Sequence, residues 1–198
     1  KDAREYGSIL NVDKCDWEIL EKFVEDLDAD GQISFDSFGS DETQEQLRKL
    51  VRVAHNLGQK YDAEVTNPPY MGASGMGAKL SKYVKDNYPD SKSDLFAVFI
   101  EKCGQMVKKN GYQAMITQHA WMFLSSFEKL RVKILRTDIV NMVHLGARAF
   151  EEIGGEVVQT TAFVRCINHF DDYKGVYCRM IGPISQYGKE KMFLAAEN

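Results

Sequence analysis

From residue 61 to residue 167 the sequence alternates strand-like and helix-like segments, and this alternation limits the possible folds most strongly. The strand-like runs, rich in β-branched and aromatic residues, are residues 61–66, 112–117, 139–145 and 157–167. Amphipathic stretches separate them: a basic helix that ends near Tyr88, a second helix over 95–109 and a third over 125–136. Such alternation produces a mostly parallel sheet with helices on both faces, so we predict an α/β fold.

The first 60 residues differ from the rest because they are charged and biased towards helix. Apolar residues recur at helical spacing within 17–27 and within 47–57, which predicts two amphipathic helices. Between them, residues 26–31 resemble the opening of an EF-hand calcium loop. The twelfth position of that loop is Ser37 instead of the glutamate that binds calcium through two oxygens. We therefore interpret this stretch as a turn.

Composition excludes several classes of protein. Of the 198 residues 44% are hydrophobic, which suits one ordinary core. A net charge of −4 argues against a strong stand-alone nucleic-acid binder, since phosphate contacts need clustered Lys and Arg. No apolar run approaches the roughly 18 residues of a membrane span, so we expect a soluble cytoplasmic protein with no membrane partner. The cysteines and histidines lack the spacing of a metal site, and no metal is expected.

The tetrapeptide Asn67-Pro68-Pro69-Tyr70 follows the first predicted strand, where open α/β sheets bind their ligands. The Asn67 side-chain oxygen and the Pro68 carbonyl can accept the two hydrogens of an aromatic amine. The prolines fix φ and offer no competing N–H, so these acceptors are held in place beforehand. Tyr70 offers a flat face to a base that has left the helix stack. In isolation the tetrapeptide could equally be a turn, but its position after a buried strand favours a reactive site.

A loop of small residues and a row of lysines follow the tetrapeptide. Residues 72–77 resemble a nucleotide-binding loop but lack the lysine-serine ending of a phosphate cradle, so we expect a mobile loop above the target base. Lys79, Lys82 and Lys85 lie on one face of the next predicted helix. They are either a solvated surface or contacts to DNA phosphates.

Four blocks of the sequence resemble, in order, those of adenine-N6 DNA methyltransferases from BREX phage-exclusion systems and from type IIG restriction-modification enzymes. The blocks are residues 67–70, which look like motif IV of amino methyltransferases, 93–101, 111–123, and 145–150 continued by 157–164. The resemblance runs from about residue 61 to 167, and residues 1–10 also look like the segment that precedes motif IV. It implies a Rossmann-like class I fold dependent on S-adenosylmethionine (AdoMet). This chain would hold the C-terminal part of the sheet, mostly parallel with a final antiparallel strand, after a helical segment.

The resemblance also implies roles for individual residues. Asn67 and Pro68, supported by Pro69, would hold the N6 amine of a flipped-out adenine, and Tyr70 and Phe150 would stack on its two faces. The residues implied in binding AdoMet are Phe96, Phe99 and Asp94. For the two phenylalanines a place in the core is equally plausible, because they lie on a predicted amphipathic helix. Asp94, or Ser93 beside it, can also cap that helix.

One family element is missing from the sequence. The glycine-rich loop that holds the amino-acid part of AdoMet should precede motif IV, yet residues 1–60 contain only isolated glycines. We therefore expect residues 1–60 to be a helical segment, 61–170 the later half of a catalytic domain, and 171–198 the start of a further segment. Such a portion is expected to be inactive alone. The partners implied are double-stranded DNA and other phage-defence subunits.

Two other functions are compatible with the same residues. Enzymes that methylate glutamine side chains of proteins, or guanine amines of ribosomal RNA, also use Asn-Pro-Pro-Tyr, although the later blocks favour adenine. A non-catalytic role as a DNA-binding or assembly module is the third hypothesis.

Overall fold

A computed structural model describes residues 3–29, 41–150 and 158–196 of the chain. The helices are α1 Ala3–Tyr6, α2 Trp17–Ala29, α3 Asp41–Gly58, α4 Ala78–Asn87, α5 Leu95–Met106, α6 Glu128–Ile134 and α7 Gln186–Ala196. The strands are β1 Tyr61–Thr66, β2 Val107–Gln118, β3 Asp138–Gly146, β4 Thr160–Cys166 and β5 Val176–Arg179. Short 3-10 turns occupy Gly7–Ile9, Ala73–Gly75, His119–Met122 and Ser125–Phe127. None of the described helices is both long and apolar enough to cross a membrane.

The chain divides into two units, and the smaller one, Leu10–Gln59, contains α2 and α3. Both helices were predicted from their apolar spacing and are confirmed. Within the unit, the Trp17 ring stacks on the His55 ring with centroids 5.1 Å apart. The Nδ1 atom of His55 lies 2.6 Å from the carboxylate of Glu21. Asp30 and Gly31, the last residues of the predicted turn that resembles a calcium loop, lie outside the described residues.

The larger unit contains a five-stranded sheet with strand order β1-β2-β4-β3-β5. β1 pairs with β2, and β3 with β5, in parallel. β4 is antiparallel to both of its neighbours. Because four strands share one direction, the predicted mostly parallel sheet with an antiparallel strand over 157–167 is confirmed. That strand is not the last, however, since β5 follows it in the chain.

The junction between α5 and β2 differs from the predicted helix over 95–109. α5 ends at Met106, and β2 begins at Val107, which is buried and pairs with Tyr61. The next pair in register is Ala63 with Tyr112, so the residues between them on β2 form a bulge. Asn110 in this bulge has a φ of 68°, a conformation that asparagine tolerates better than most residues.

Two apolar clusters hold the helices of this unit: α5 and α6 pack on one face of the sheet, and α4 packs on α5. The first cluster joins α5 and α6 to the strands and includes Phe96, Ile100, Met115, Trp121, Leu130 and Phe163. The second joins α4 and α5 to the first residues of the chain and includes Ile9, Met76, Leu80, Val84, Tyr88 and Val98. Phe99 packs against both clusters. The hydroxyl of Tyr88 donates to the carbonyl of Ile9 at 2.6 Å, which fixes the amino-terminal segment on α4.

Candidate functional site

The tetrapeptide that follows β1 lies at the carboxyl edge of the sheet. Thr66, the last residue of β1, pairs with Met115, so β2 runs on beside the tetrapeptide to Gln118. The Asn67 side chain is exposed, whereas Pro68 is buried. Asn67 is thus presented to solvent from a backbone that is fixed on both sides, by a strand before it and a buried proline after it.

Tyr70 connects the tetrapeptide to the core. Its half-buried ring meets the buried Phe96 edge-on, with centroids 6.2 Å apart and planes at 85°. Its hydroxyl donates a long hydrogen bond, 3.5 Å, to the carbonyl of Ile116 in β2. Burial raises the pKa of this phenol above its usual range, so Tyr70 is neutral near pH 7. One side of the ring is held, and the remaining surface is available to a flat ligand.

Asp94 joins the segment after the tetrapeptide to the start of α5. Its carboxylate accepts the backbone N–H of Met71 at 3.0 Å and that of Phe96 at 3.3 Å, which confirms the predicted helix cap. The Met71 carbonyl accepts the N–H of Leu95 at 3.0 Å in return. Burial raises the pKa of Asp94, and the backbone hydrogen bonds oppose that shift. This carboxylate therefore already holds the loop and the helix together.

The two phenylalanines implied in AdoMet binding have different environments. Phe96 is 1% exposed and contacts Tyr70 and Phe127, so its observed role is in the core. Phe99 is half-buried and keeps part of its ring on the surface. The structure thus brings Asp94, Phe96 and Tyr70 together, and it leaves Phe99 as the aromatic ring of α5 that a ligand can reach.

Phe150 lies after β3, beyond a tight turn. Gly146 and Arg148 have φ values of 67° and 58°, so the chain reverses sharply here. Two side chains of α7 hold this turn: Gln186 donates to the carbonyl of Ala149 at 3.1 Å, and Lys189 donates to that of Leu145 at 2.6 Å. The Phe150 side chain is half-buried. Because β3 and β1 share one direction, the turn and the tetrapeptide lie at the same edge of the sheet.

The loop over residues 72–77 is attached to the body of the unit. The N–H of Ala73 donates to the carbonyl of Ser93 at 3.0 Å, and Met76 is buried in the second apolar cluster. Lys79, Lys82 and Lys85 on α4 are all exposed. Lys82 forms a 2.7 Å ion pair with Asp86, which offsets part of its charge.

A pair of histidines at the same edge was not predicted as a pair. Nδ1 of His119 and Nε2 of His144 are 2.9 Å apart, and the ring of Phe123 packs against both imidazoles. Burial lowers the pKa of both histidines; the charge of each neighbour acts in the same direction, His144 on His119 and Arg179 on His144. The signal in the sequence was that each histidine lies at or just beyond the end of a predicted strand. Within the described ranges, no cluster of His, Cys, Asp or Glu could hold a metal ion.

The geometry of this edge suits a reaction at a planar amine. The Asn67 amide oxygen is exposed, the backbone of Pro68 is rigid, and an aromatic face lies three residues away. These groups can accept hydrogen bonds and stack on a ring, whereas none is a nucleophile. The arrangement therefore supports transfer by positioning, without a covalent intermediate on the protein.

Comparisons with known proteins place most of this chain in a known family. The family model of the Eco57I restriction-modification methylases matches residues 6–150. Over 98% of this chain, the sequence is 47% identical to adenine-specific methyltransferase PglX of Lacticaseibacillus casei (strain Zhang). Over 96% it is 41% identical to adenine-specific methyltransferase BrxX of Escherichia coli O9:H4 (strain HS). The chain spans 16% of the length of each of these relatives.

A solved structure shows the same fold at low sequence identity. The DrdV–DNA complex matches 73% of this chain and 17% of its own chain, with a TM-score of 0.56 and 12% identity. This likeness, together with the family match, confirms the predicted Rossmann-like class I methyltransferase fold.

Proposed function

Because the chain belongs to the Eco57I restriction-modification methylase family, we propose that it forms the base-binding half of a site-specific DNA adenine methyltransferase. The reaction is transfer of a methyl group from AdoMet to the N6 amine of an adenine that has left the duplex. Relatives named as adenine-specific methyltransferases support adenine as the acceptor. The biological setting that follows from the BREX resemblance is phage defence in the bacterial cytoplasm.

The observation that carries this proposal is the presentation of Asn67. Its side chain is exposed at the end of β1, whereas Pro68 behind it is buried and Tyr70 beyond it is anchored on Phe96. A group that must accept hydrogen bonds from an incoming base has to be open to solvent before the base arrives. It must also be rigid, because a displacement of about 1 Å can cost on the order of a hundredfold in rate.

The chain's own residues act on the amine. The Asn67 oxygen and the Pro68 carbonyl accept the two N6 hydrogens, which directs the nitrogen lone pair out of the ring plane. The Tyr70 ring stacks on one face of the adenine, and we assign the opposite face to Phe150. AdoMet supplies an electrophilic methyl group, so the new N–C bond forms as the S–C bond breaks. The proton that the amine then loses passes to solvent, and no general base is required.

Phe99 is the residue here that best fits the adenine ring of the cofactor. Its ring is half-buried and rigid because it packs against both apolar clusters, yet part of it remains on the surface. Phe96 supports this site from beneath as a core residue, and Asp94 sets the position of α5. AdoMet contacts to its amino-acid part would come from residues outside this chain, which is why we expect this chain to be inactive alone.

Double-stranded DNA is the macromolecular partner that the proposal requires. Lys79, Lys82 and Lys85 are exposed on α4, the helix that follows the loop after the tetrapeptide, and we assign them to phosphate contacts. Lys82 contributes less because Asp86 is paired with it. Other subunits of a phage-defence assembly are further partners in this proposal.

The test is methylation by the full-length protein with Asn67→Ala. We expect methyl transfer to adenine in duplex DNA to fall at least about a hundredfold, with DNA affinity within about twofold of wild type, because Asn67 acts on the amine and not on the phosphates. Asn141→Ala, a change at an exposed asparagine of β3, is the matched control and should keep full activity. Full activity of Asn67→Ala would overturn the proposal. Offering RNA and a glutamine-containing peptide as competing acceptors tests the other two substrate classes.

A further inference from the structure

A cavity of about 320 Å³ opens beside the histidine pair, and no role in the methylation chemistry requires it. Its lining includes Met122, Phe123, Met142, His144, Tyr177 and Arg179. Its volume lies within the range of pockets that bind small molecules or single units of a polymer. It therefore has the size of a binding site, although nothing in the proposed reaction uses it.

The cavity lies on the same face of the sheet as Tyr70. Met122 and Met142 pack against the first apolar cluster, and so does Tyr70. Met142 pairs with Phe163 of β4, which in turn pairs with Met115 of β2, so these side chains share one face. The cavity thus continues, across the width of the sheet, the surface on which the tetrapeptide lies.

The cavity combines two exposed rings with a cation that has no partner in the described part of the chain. The exposed fractions are 59% for Phe123 and 58% for Tyr177, which is high for large aromatic side chains in a concave surface. Arg179 is exposed and forms no ion pair or side-chain hydrogen bond with the described residues. Burial lowers the pKa of His144, which also lines the cavity, and the charge of Arg179 lowers it further.

His144 lines the cavity and makes its wall polar, and its hydrogen-bond partner His119 lies behind it. Thr161 of β4, between the two histidines, pairs with Thr117 on one side and with His144 on the other. Nδ1 of His119, two residues after Thr117, lies 2.9 Å from Nε2 of His144. Once the two imidazoles share this hydrogen bond, their remaining nitrogens can still bond a ligand. Arg179 also lines the cavity and supplies a permanent positive charge.

We propose that this cavity binds a nucleotide of the DNA strand next to the flipped adenine. Tyr177 and Phe123 contact the base, and Arg179 binds the phosphate. Aromatic side chains recognise bases by stacking, and a guanidinium binds phosphate oxygens in pairs. His144 lies near the carboxyl end of β3 and Arg179 ends β5, so the cavity reaches the edge of the sheet at which the tetrapeptide follows β1. The inference rests on the proposed function, because it takes its ligand from the DNA that the methylation reaction requires.

The experiment compares Arg179→Ala and Tyr177→Ala with matched controls in the full-length protein. Arg136→Ala changes an exposed arginine at the other end of β3, and Tyr112→Ala changes a tyrosine of β2 that is 49% exposed. Binding is measured by fluorescence anisotropy on a labelled duplex with one mismatched adenine, which leaves the helix easily. Titrations at several salt concentrations separate phosphate contacts from stacking. Methylation is measured at saturating DNA with the same proteins.

Both cavity variants should bind the duplex about tenfold more weakly than wild type, and both controls should bind within about twofold. Arg179→Ala should also lower the slope of log affinity against log salt by about 1, and Arg179→Lys should restore that slope. Tyr177→Ala should leave the slope unchanged. Wild-type affinity for the duplex in both cavity variants would overturn the inference. If those variants bound a protein partner more weakly instead, the cavity would be a site for that partner and the inference would be overturned as well. Absence of methylation by the wild-type protein would overturn the proposed function without touching the binding result, so the two failures are distinguishable.

Discussion

The carboxylate of Asp94 accepts the backbone N–H of Met71 at 3.0 Å, and the N–H of Leu95 donates to the Met71 carbonyl at the same distance. An isolated bridge between Gly72 and Asp94 continues this pairing. The segment that follows the tetrapeptide is therefore attached to the first turn of α5. Through this attachment, the helix that carries Phe99 sets the position of Tyr70 and Met71.

We expect Asp94→Ala to lower the methylation rate by about ten- to a hundredfold, because the loop loses its acceptor and Tyr70 shifts. The same change removes a helix cap, which costs about 1 kcal/mol in the free energy of unfolding. Asp94→Asn keeps one acceptor oxygen and should retain most of the rate. Equal rates for the alanine and asparagine variants would contradict the positioning role. Steady-state methylation and urea unfolding measure the two effects.

Two substitutions at Tyr70 separate the contribution of its ring to the methylation rate from that of its hydroxyl. Its hydrogen bond to Ile116 is long, 3.5 Å, whereas its ring packs edge-on against Phe96. Tyr70→Phe should keep the rate within about threefold, since a long neutral hydrogen bond contributes little. Tyr70→Ala removes the stacking surface, worth about 1–3 kcal/mol per base, and should lower the rate at least tenfold. A phenylalanine variant as inactive as the alanine variant would assign the role to the hydroxyl instead. Single-turnover methylation distinguishes the two.

The strands β2, β3 and β4 could be predicted from their β-branched and apolar runs, whereas β1 was marked by the proline pair that ends it. β1 begins and ends at the predicted residues, and the predicted cap at Asp94 is confirmed. β5 was missed because it has only four residues and three of them are exposed, so no hydrophobic alternation marks it. α7 was missed for a similar reason, since Lys189 is its buried residue and most of its apolar side chains are exposed.

The histidine pair could not be predicted because its two members lie on elements that are not neighbours in the sheet. β4 separates β2 from β3, so the contact between His119 and His144 depends on the order of the strands in the sheet. The end of α5 was predicted too late because Val107 pairs with Tyr61 across the sheet. Pairing of this kind outweighs helix propensity, and local sequence does not reveal it. The functional roles of all the predicted site residues, including Phe150 and the lysines, remain predictions.

The histidine pair should make the stability of the protein depend on pH. Burial lowers the pKa of His119 and His144 below 6.5, the value in the unfolded chain, and Arg179 and Lys189 act on His144 in the same direction. As the pH falls through about 6.5, the unfolded chain binds more protons than the folded one, so stability is lost on acidification. The urea concentration at the midpoint of unfolding should therefore decrease when the pH is lowered from 7.5 to 5.5, about one unit either side of the histidine pKa. A double variant with glutamine at both positions should lose part of this fall, and a fall as large as in wild type would contradict the assignment.

Gly111 should be indispensable for the junction of β1 and β2. A Cβ atom at this position would lie 2.5 Å from the backbone oxygen of Asp62 and 2.6 Å from Cγ1 of Val107. A backbone oxygen cannot rotate away, so Gly111→Ala must separate the two strands at the bulge, at a cost of about 1–3 kcal/mol in the free energy of unfolding. Gly182→Ala is the control, because its Cβ would meet nothing within 4 Å.

The separation forced by Gly111→Ala begins at the amino end of β1, whereas Asn67 follows its carboxyl end. The register between Ala63 and Thr66 on β1 and their partners on β2 is regular, so it can absorb a shift before the shift reaches the tetrapeptide. We therefore expect urea unfolding to register the full loss of stability, while the methylation rate of the folded protein falls by less than about fivefold. A large loss of rate at unchanged stability would show instead that the bulge sets the position of Asn67 directly.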